Sequence, residues 1–245
     1  MKLALETVGL RRSFGALVVT DDVSSRLPVG ARHALIGPNG AGKTTLINLL
    51  TGVLRPSGGR ILLGGQDVTS VPADVRVRMG LGWTFQINRL FADMTLRENL
   101  GVVVAERMGL GGRWWRRAAA DTAVMAEVGS VASGFGLHGA LDQRVGRLSD
   151  GQQRLVEISL AIACRPRVLL LDEPAAGVPE RDDILATVAG LPADVTVLLI
   201  AHDMDLAFRF ATSMSVLVAG AVLVEGSPAA VAADPRVREV YLGHG

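Results

Sequence analysis

The chain has 245 residues, 49% of them hydrophobic and 20% charged, with a formal net charge of +1. That apolar content supports a buried core and excludes a disordered chain, while the near-neutral balance excludes a polybasic nucleic-acid surface. The single cysteine, Cys164, excludes an internal disulfide framework and fits a reducing compartment.

The start, MKLALETVGL, turns polar too soon for a signal peptide, and the apolar stretches VTVLLIA and VLVAGAVLV are too short to span a bilayer. The chain is therefore expected to be soluble in itself, with any membrane attachment supplied by a partner. Residues 2–27 alternate loosely and carry β-branched side chains, which predicts two or three strands joined by a turn around residues 13–15. HALIG reads as a short buried strand, TTLINLLTGVL as a helix, and RILLGG (60–65) as another strand. The character then changes. FADMTLRENLGVVVAERM, AAADTAVMAEVGSVASGFG and QQRLVEISLAIA have periodic apolar positions and predict helices. Strands return in RVLLLDEP, VTVLLIAH and MSVLVAG, with a helix between the first two and another after His202, and the tail predicts one or two short helices. Strands alternating with helices imply a mostly parallel sheet. The expected organisation is one α/β domain whose core comes from residues 1–87 and 166–245, with residues 88–165 inserted as a helical subdomain.

Residues 37–44, GPNGAGKT, fit the phosphate-loop pattern G-x-x-x-x-G-K-[ST] between a predicted strand and a predicted helix. Gly37, Gly40 and Gly42 let the backbone wrap closely around phosphates. The intervening Pro38, Asn39 and Ala41, with Thr45 just inside the helix, complete the cradle. The helix N-terminus adds positive potential. Lys43 is placed to reach the β- and γ-phosphates, and the Thr44 hydroxyl to ligate Mg2+. Only Lys2 and Lys43 among the 25 basic residues are lysines, so Lys43 marks a place where a planar guanidinium does not substitute for a compact ammonium. RVLLLDEP has the apolar run of a buried parallel strand ending in two acids. Asp172 is expected in the Mg2+ shell, and Glu173 as the group that orients or deprotonates an attacking water. Together these residues imply hydrolysis of ATP or GTP by in-line water attack.

RLSDGQQRL (147–155) carries Ser149 and Gln152 in the S-x-x-Q spacing of a capping box, directly before an apolar run. LSDGQ resembles LSGGQ, the signature of the ATP-binding subunits of ABC transporters. GWTFQ, with Gln86, and AHD, with His202, resemble that family's Q-loop and switch motifs in the same order. Phe14 resembles the family's adenine-stacking aromatic. The resemblance runs from about Leu3 to the end of the chain. It implies a P-loop NTPase core with a mostly parallel sheet, an N-terminal antiparallel β region and the inserted helical subdomain. It also implies ATP and Mg2+ as cofactors, Gln86 at the magnesium and the membrane subunit, and Lys43, Glu173 and His202 as the catalytic set. Such subunits pair head to tail, with themselves or a paralogue. Ser149, Gly151 and Gln152 would then close over ATP held by a second chain. Two permease subunits, and indirectly a solute-binding protein, are the further partners implied, at the cytoplasmic face of the cell membrane; nucleic acid is not.

TFQINRLFADMTLRENL, GQQRLVEI, DEPAAG, AHDMDLAFRFA and DPRVREVYLG resemble the ATPases of branched-chain amino-acid importers. Lipopolysaccharide export and urea or amide uptake are the alternatives within the class. A non-transport ABC ATPase or an inactive nucleotide-binding scaffold lies further off. The chain departs from the family at Asp150, where glycine is usual; an acid there complements a helix dipole. It departs again at Val178–Pro179, in the loop that usually spans the dimer. RWWRR (113–117) reads as a packing point with a solvated rim, and Cys164 as a small buried side chain. His33, His138 and His244 lack metal-ligand spacing.

Overall fold

The structure is a computed structural model that describes residues 2–84, 91–110, 121–179, 181–201 and 203–242. Two compact units emerge from the chain, Met1–Leu81 with Arg167–Glu173 and Pro192–Gly245, and Gly82–Pro166 with Pro174–Leu191.

The first unit is built on two sheets. Strands β1 (Leu3–Phe14), β2 (Leu17–Pro28), β4 (Gly58–Leu63) and β5 (Gln66–Asp67) form an antiparallel sheet in the order β2-β1-β4-β5. The second sheet has the order β10-β9-β3-β8-β7-β6, with β3 (Arg32–Ile36), β6 (Leu81–Trp83), β7 (Val168–Asp172), β8 (Thr196–Ile200), β9 (Ser213–Val218) and β10 (Ala221–Gly226). The pairs β3/β8, β3/β9 and β7/β8 are parallel, and β10 returns antiparallel to β9. Every residue of β7 and β8 is buried, as a parallel sheet covered on both faces requires. That is why LLLD and TVLLI read as unbroken apolar runs. Around the sheets lie α1 (Lys43–Thr51), α2 (Ala73–Arg78), α7 (Met204–Phe210), α8 (Pro228–Ala233) and α9 (Pro235–Leu242).

The second unit is helical. It holds α3 (Leu96–Arg107), α4 (Thr122–Gly134), α5 (Asp150–Ala163) and α6 (Arg181–Ala189). α3 packs on α4 and α5 through Leu96, Leu100, Val104, Val124, Val128, Val156 and Ile158, all fully buried. The apolar run beginning at Phe91 becomes helical only at Leu96. Thr95 and Glu98 form a capping box there, with Thr95 Oγ1 accepting from Glu98 N–H and the Glu98 carboxylate from Thr95 N–H.

Sequence periodicity missed the short pieces β5, β6 and α2. MSVLVAG forms β9 as read, and the strand the periodicity missed beside it is β10, which returns from the turn at Ala219–Gly220. Cys164 is half-buried rather than buried, because it caps the end of α5. Among the described residues no helix is long and apolar enough to cross a membrane.

Candidate functional site

β3 runs into the loop of residues 37–42, and α1 begins at Lys43. The loop is closed by backbone bonds, Ala41 N–H to Pro38 O at 3.2 Å and Gly220 N–H to Ala41 O at 2.9 Å. Two of its glycines are sterically required. A Cβ on Gly37 would lie 2.2 Å from Leu217 O, and one on Gly42 would lie 2.5 Å from Val19 O. Gly42 is the N-cap of α1 at φ 99°, with no side chain accepting from the helix amides and no acid in the first turn. Among the described residues the first N–H groups of α1 thus have no side-chain cap, which is what an anion site needs. Asn39, Gly40 and Thr44 are exposed, Pro38 and Thr45 half-exposed, and Ala41 buried.

Lys43 is buried, 6% exposed. Its Nζ donates to Gly37 O at 2.6 Å and Pro38 O at 3.0 Å, so the loop's own carbonyls hold the ammonium. Burial pulls its pKa below the usual lysine value, while Glu173 and Asp172 push the other way. That opposition brings three of the expected residues together within the first unit. The sheet explains how. Asp172 ends β7, one strand removed from β3 across β8, so loop and acid share the carboxyl edge of the parallel strands, where open α/β sheets bind ligands. Asp172 is buried, at 7% exposure. Glu173 takes the left-handed backbone region at φ 48°, held by its N–H to Ile200 O at 3.0 Å. A non-glycine residue there stores strain, and such strain collects at functional sites.

Phe14 sits at the tip of the β1–β2 hairpin and is 47% exposed. Two residues that sequence reasoning did not reach support the loop. Arg76, 1% exposed, caps the carbonyl end of α1, donating to Leu49 O at 2.8 Å and Leu50 O at 2.6 Å. It also reaches Val71 O at 2.9 Å and Thr69 O at 3.1 Å. Tyr241 on α9 accepts a hydrogen bond from Gly37 N–H, although burial dominates and raises its phenol pKa. Neither has a local signal, since the partners that tie Arg76 to α1 and Tyr241 to the loop are distant in sequence.

In the second unit the signature residues start α5. Ser149 is the exposed N-cap, and Gln152 N–H donates to its Oγ at 3.2 Å. Ser149 N–H donates in return to Gln152 Oε1 at 3.1 Å, so the capping box read from the sequence is formed. Gly151 is buried and Asp150 exposed in the first turn. The Val178–Pro179 departure lies in the turn before α6. Gln86, His202, the RWWRR segment at 113–117 and His244 lie outside the described residues. His33 and His138 are bonded to serines.

The residues present fit a Mg2+-bound nucleoside triphosphate. The cradle leaves no room for a Cβ at Gly37 or Gly42, the helix amides have no side-chain cap, and the ammonium is fixed at the loop. The donors expected at the metal from the sequence, the Thr44 hydroxyl and the Asp172 carboxylate, are all oxygen, the ligand type Mg2+ takes together with phosphates and water.

Comparison with known proteins agrees with this geometry. The profile of the ABC transporter family matches residues 20–176, and that of the branched-chain amino acid ATP-binding cassette transporter matches residues 221–245. The high-affinity branched-chain amino acid transport ATP-binding protein BraF of Pseudomonas aeruginosa is 38% identical over 98% of this chain and 97% of its own. The corresponding protein LivG of Escherichia coli K12 is 35% identical over 98% and 97%. The lipopolysaccharide export ATP-binding protein LptB of Acidithiobacillus ferridurans is 35% identical over 99% and 98%. Among solved structures, a nucleotide-free ATP-binding cassette from an ABC transporter superposes with a TM-score of 0.86 at 30% identity, covering 98% of this chain and 99% of that one.

Proposed function

The chain belongs to the ABC transporter family of ATP-binding proteins, and from that premise we propose that it energises permease subunits importing a small solute, branched-chain amino acids first among them. It is an ATPase. The cargo reading rests on one observation above the others: the branched-chain-specific profile covers residues 221–245, outside the part shared with ABC ATPases at large.

In this reading the α1 amides and Lys43 hold the β- and γ-phosphates, and Phe14 stacks on the adenine. Thr44, Asp172 and Gln86 would hold Mg2+, which when bound neutralises phosphate charge. Glu173 takes a proton from the attacking water at its carboxylate. The water oxygen bonds to the γ-phosphorus as the bond to the bridging oxygen breaks, giving ADP and phosphate. His202 contacts the γ-phosphate. Ser149, Gly151 and Gln152 act on the nucleotide of a second copy or a paralogue. Two permease subunits carry the dimer at the cytoplasmic face of the membrane, and a solute-binding protein delivers the cargo.

Glu173→Gln tests the chemistry. It is expected to bind ATP normally and to lose turnover by about 10²-fold or more, accumulating an ATP-bound dimer. Near-normal hydrolysis would remove Glu173 from the base role. Reconstitution with the permease and binding protein tests the cargo: leucine-loaded binding protein is expected to stimulate the ATPase, and stimulation by another solute alone would overturn that assignment.

A further inference from the structure

Phe14 does not stand alone at the hairpin tip. Residues two apart on a strand share a face, so Arg12 and Phe14 lie side by side on β1. The Arg12 guanidinium carbon stands 4.5 Å from the Phe14 ring centroid, within cation–π range. Its Nη1 donates to Arg55 O at 3.0 Å, and its Nε is buried without an acceptor among the described residues. One carbonyl and one ring face therefore hold the group. The carbonyl belongs to the segment that follows α1, the helix whose other end forms the phosphate loop. The same segment braces β1 twice more, through Ser57 N–H to Arg11 O at 2.7 Å and Ser13 N–H to Ser57 Oγ at 3.2 Å. The strand end that carries the aromatic is thus bonded to the continuation of the phosphate-binding helix.

We infer that Arg12 is a positioning residue of the nucleotide site, covering one face of Phe14, locking the ring to the segment after α1, and leaving the opposite face for a purine. The inference rests on the base-stacking reading of Phe14. An exposed phenyl ring on a hairpin tip would otherwise sample several rotamers, and a stacking partner that must first be ordered binds less well. With Arg12 in place, the ring is set before nucleotide arrives, and its distance from the phosphate loop is set with it. Exposed Leu17, paired with Phe14 across the hairpin, continues the apolar surface on the next strand.

The test is calorimetric binding of ATP and of inorganic tripolyphosphate to the full chain, as wild type, Arg12→Met, Arg12→Lys and Phe14→Ala. Arg12→Met keeps an apolar stem against the ring and removes the charge and the Arg55 bond. It is expected to weaken ATP about two- to five-fold and to leave tripolyphosphate unchanged, since that ligand has no base. In turnover, KM rises by the same factor and kcat holds. Arg12→Lys recovers part of the loss, keeping the cation but not the planar stack. General loosening of the fold would weaken both ligands together. Unchanged ATP affinity in Arg12→Met, or equal losses for both ligands, would overturn the inference. A Phe14→Ala chain with wild-type ATP affinity would instead overturn the base-stacking reading itself. Loss in Phe14→Ala without loss in Arg12→Met would overturn only the role of Arg12.

Discussion

Two helices in this protein begin at the motifs we assign to phosphate, and they begin differently. α1 starts from Gly42 in a left-handed conformation, with no side chain accepting from its first amides. α5 starts from Ser149, whose hydroxyl and backbone amide are both engaged with Gln152. The first is the start we assign to the phosphates of its own chain, left without a side-chain cap by a glycine whose place no Cβ could take. The second satisfies its own donors through its capping box, so in the proposed role its serine would exchange that bond for one to phosphate. The contrast fits the roles proposed for them, one end holding nucleotide in its own chain and the other closing over nucleotide held by a second chain.

The largest effect should come from closing the open start. Gly42→Ala places a Cβ 2.5 Å from Val19 O at φ 99°. Strain and overpacking together should cost about 3–5 kcal/mol, read as a lowered denaturation midpoint with loss of ATP binding.

Acid should act next, on the scaffold of α1. His33 stands on β3, just before the loop, between Ser213 Oγ at 2.8 Å from Nδ1 and Ser215 Oγ at 2.9 Å from Nε2. Ser215 spends its proton on Glu225 Oε2 at 2.8 Å, so it accepts from Nε2–H, and Ser213 donates to Nδ1. Burial lowers the His33 pKa from 6.5 to about 4. As pH falls from 6.5 to 4, the unfolded chain takes a proton that the folded chain refuses, and stability drops. The loss amounts to about 3 kcal/mol. Denaturation at stepped pH should show this slope, and His33→Gln should flatten it.

Ser149→Ala removes a cap and should cost about 1 kcal/mol of stability, measured by denaturation. Smallest is Asp150→Asn, expected to cost about 0.5 kcal/mol through the helix dipole while ATP affinity stays unchanged. An Asp150→Asn chain that turns over ATP faster would mean that the carboxylate opposes phosphate instead.

Both starts were open to a reading of the sequence, and what supports them was not. G-x-x-x-x-G-K-[ST] and S-x-x-Q are local patterns, and both formed where they were read. The acids of RVLLLDEP were legible because a strand buried on both faces writes a continuous apolar run. Support for α1 was not legible. Arg76 reaches carbonyls 26 and 27 residues away from a six-residue helix with no clear period. Arg12 and Arg55 meet only because β1 passes the segment after α1. Long-range bonds of this kind leave no spacing to find. The proposed sharing of the site between two chains leaves none either and follows from the family resemblance alone.

The most direct test compares ATP affinity in the isolated wild-type chain, Lys43→Ala and Ser149→Ala. With α1 serving the nucleotide of its own chain and α5 that of a second chain, Lys43→Ala should lose ATP binding by about 10²-fold or more, and Ser149→Ala should stay within about two-fold of wild type. Equal losses in the two variants would contradict the account, because both helix starts would then serve nucleotide within a single chain.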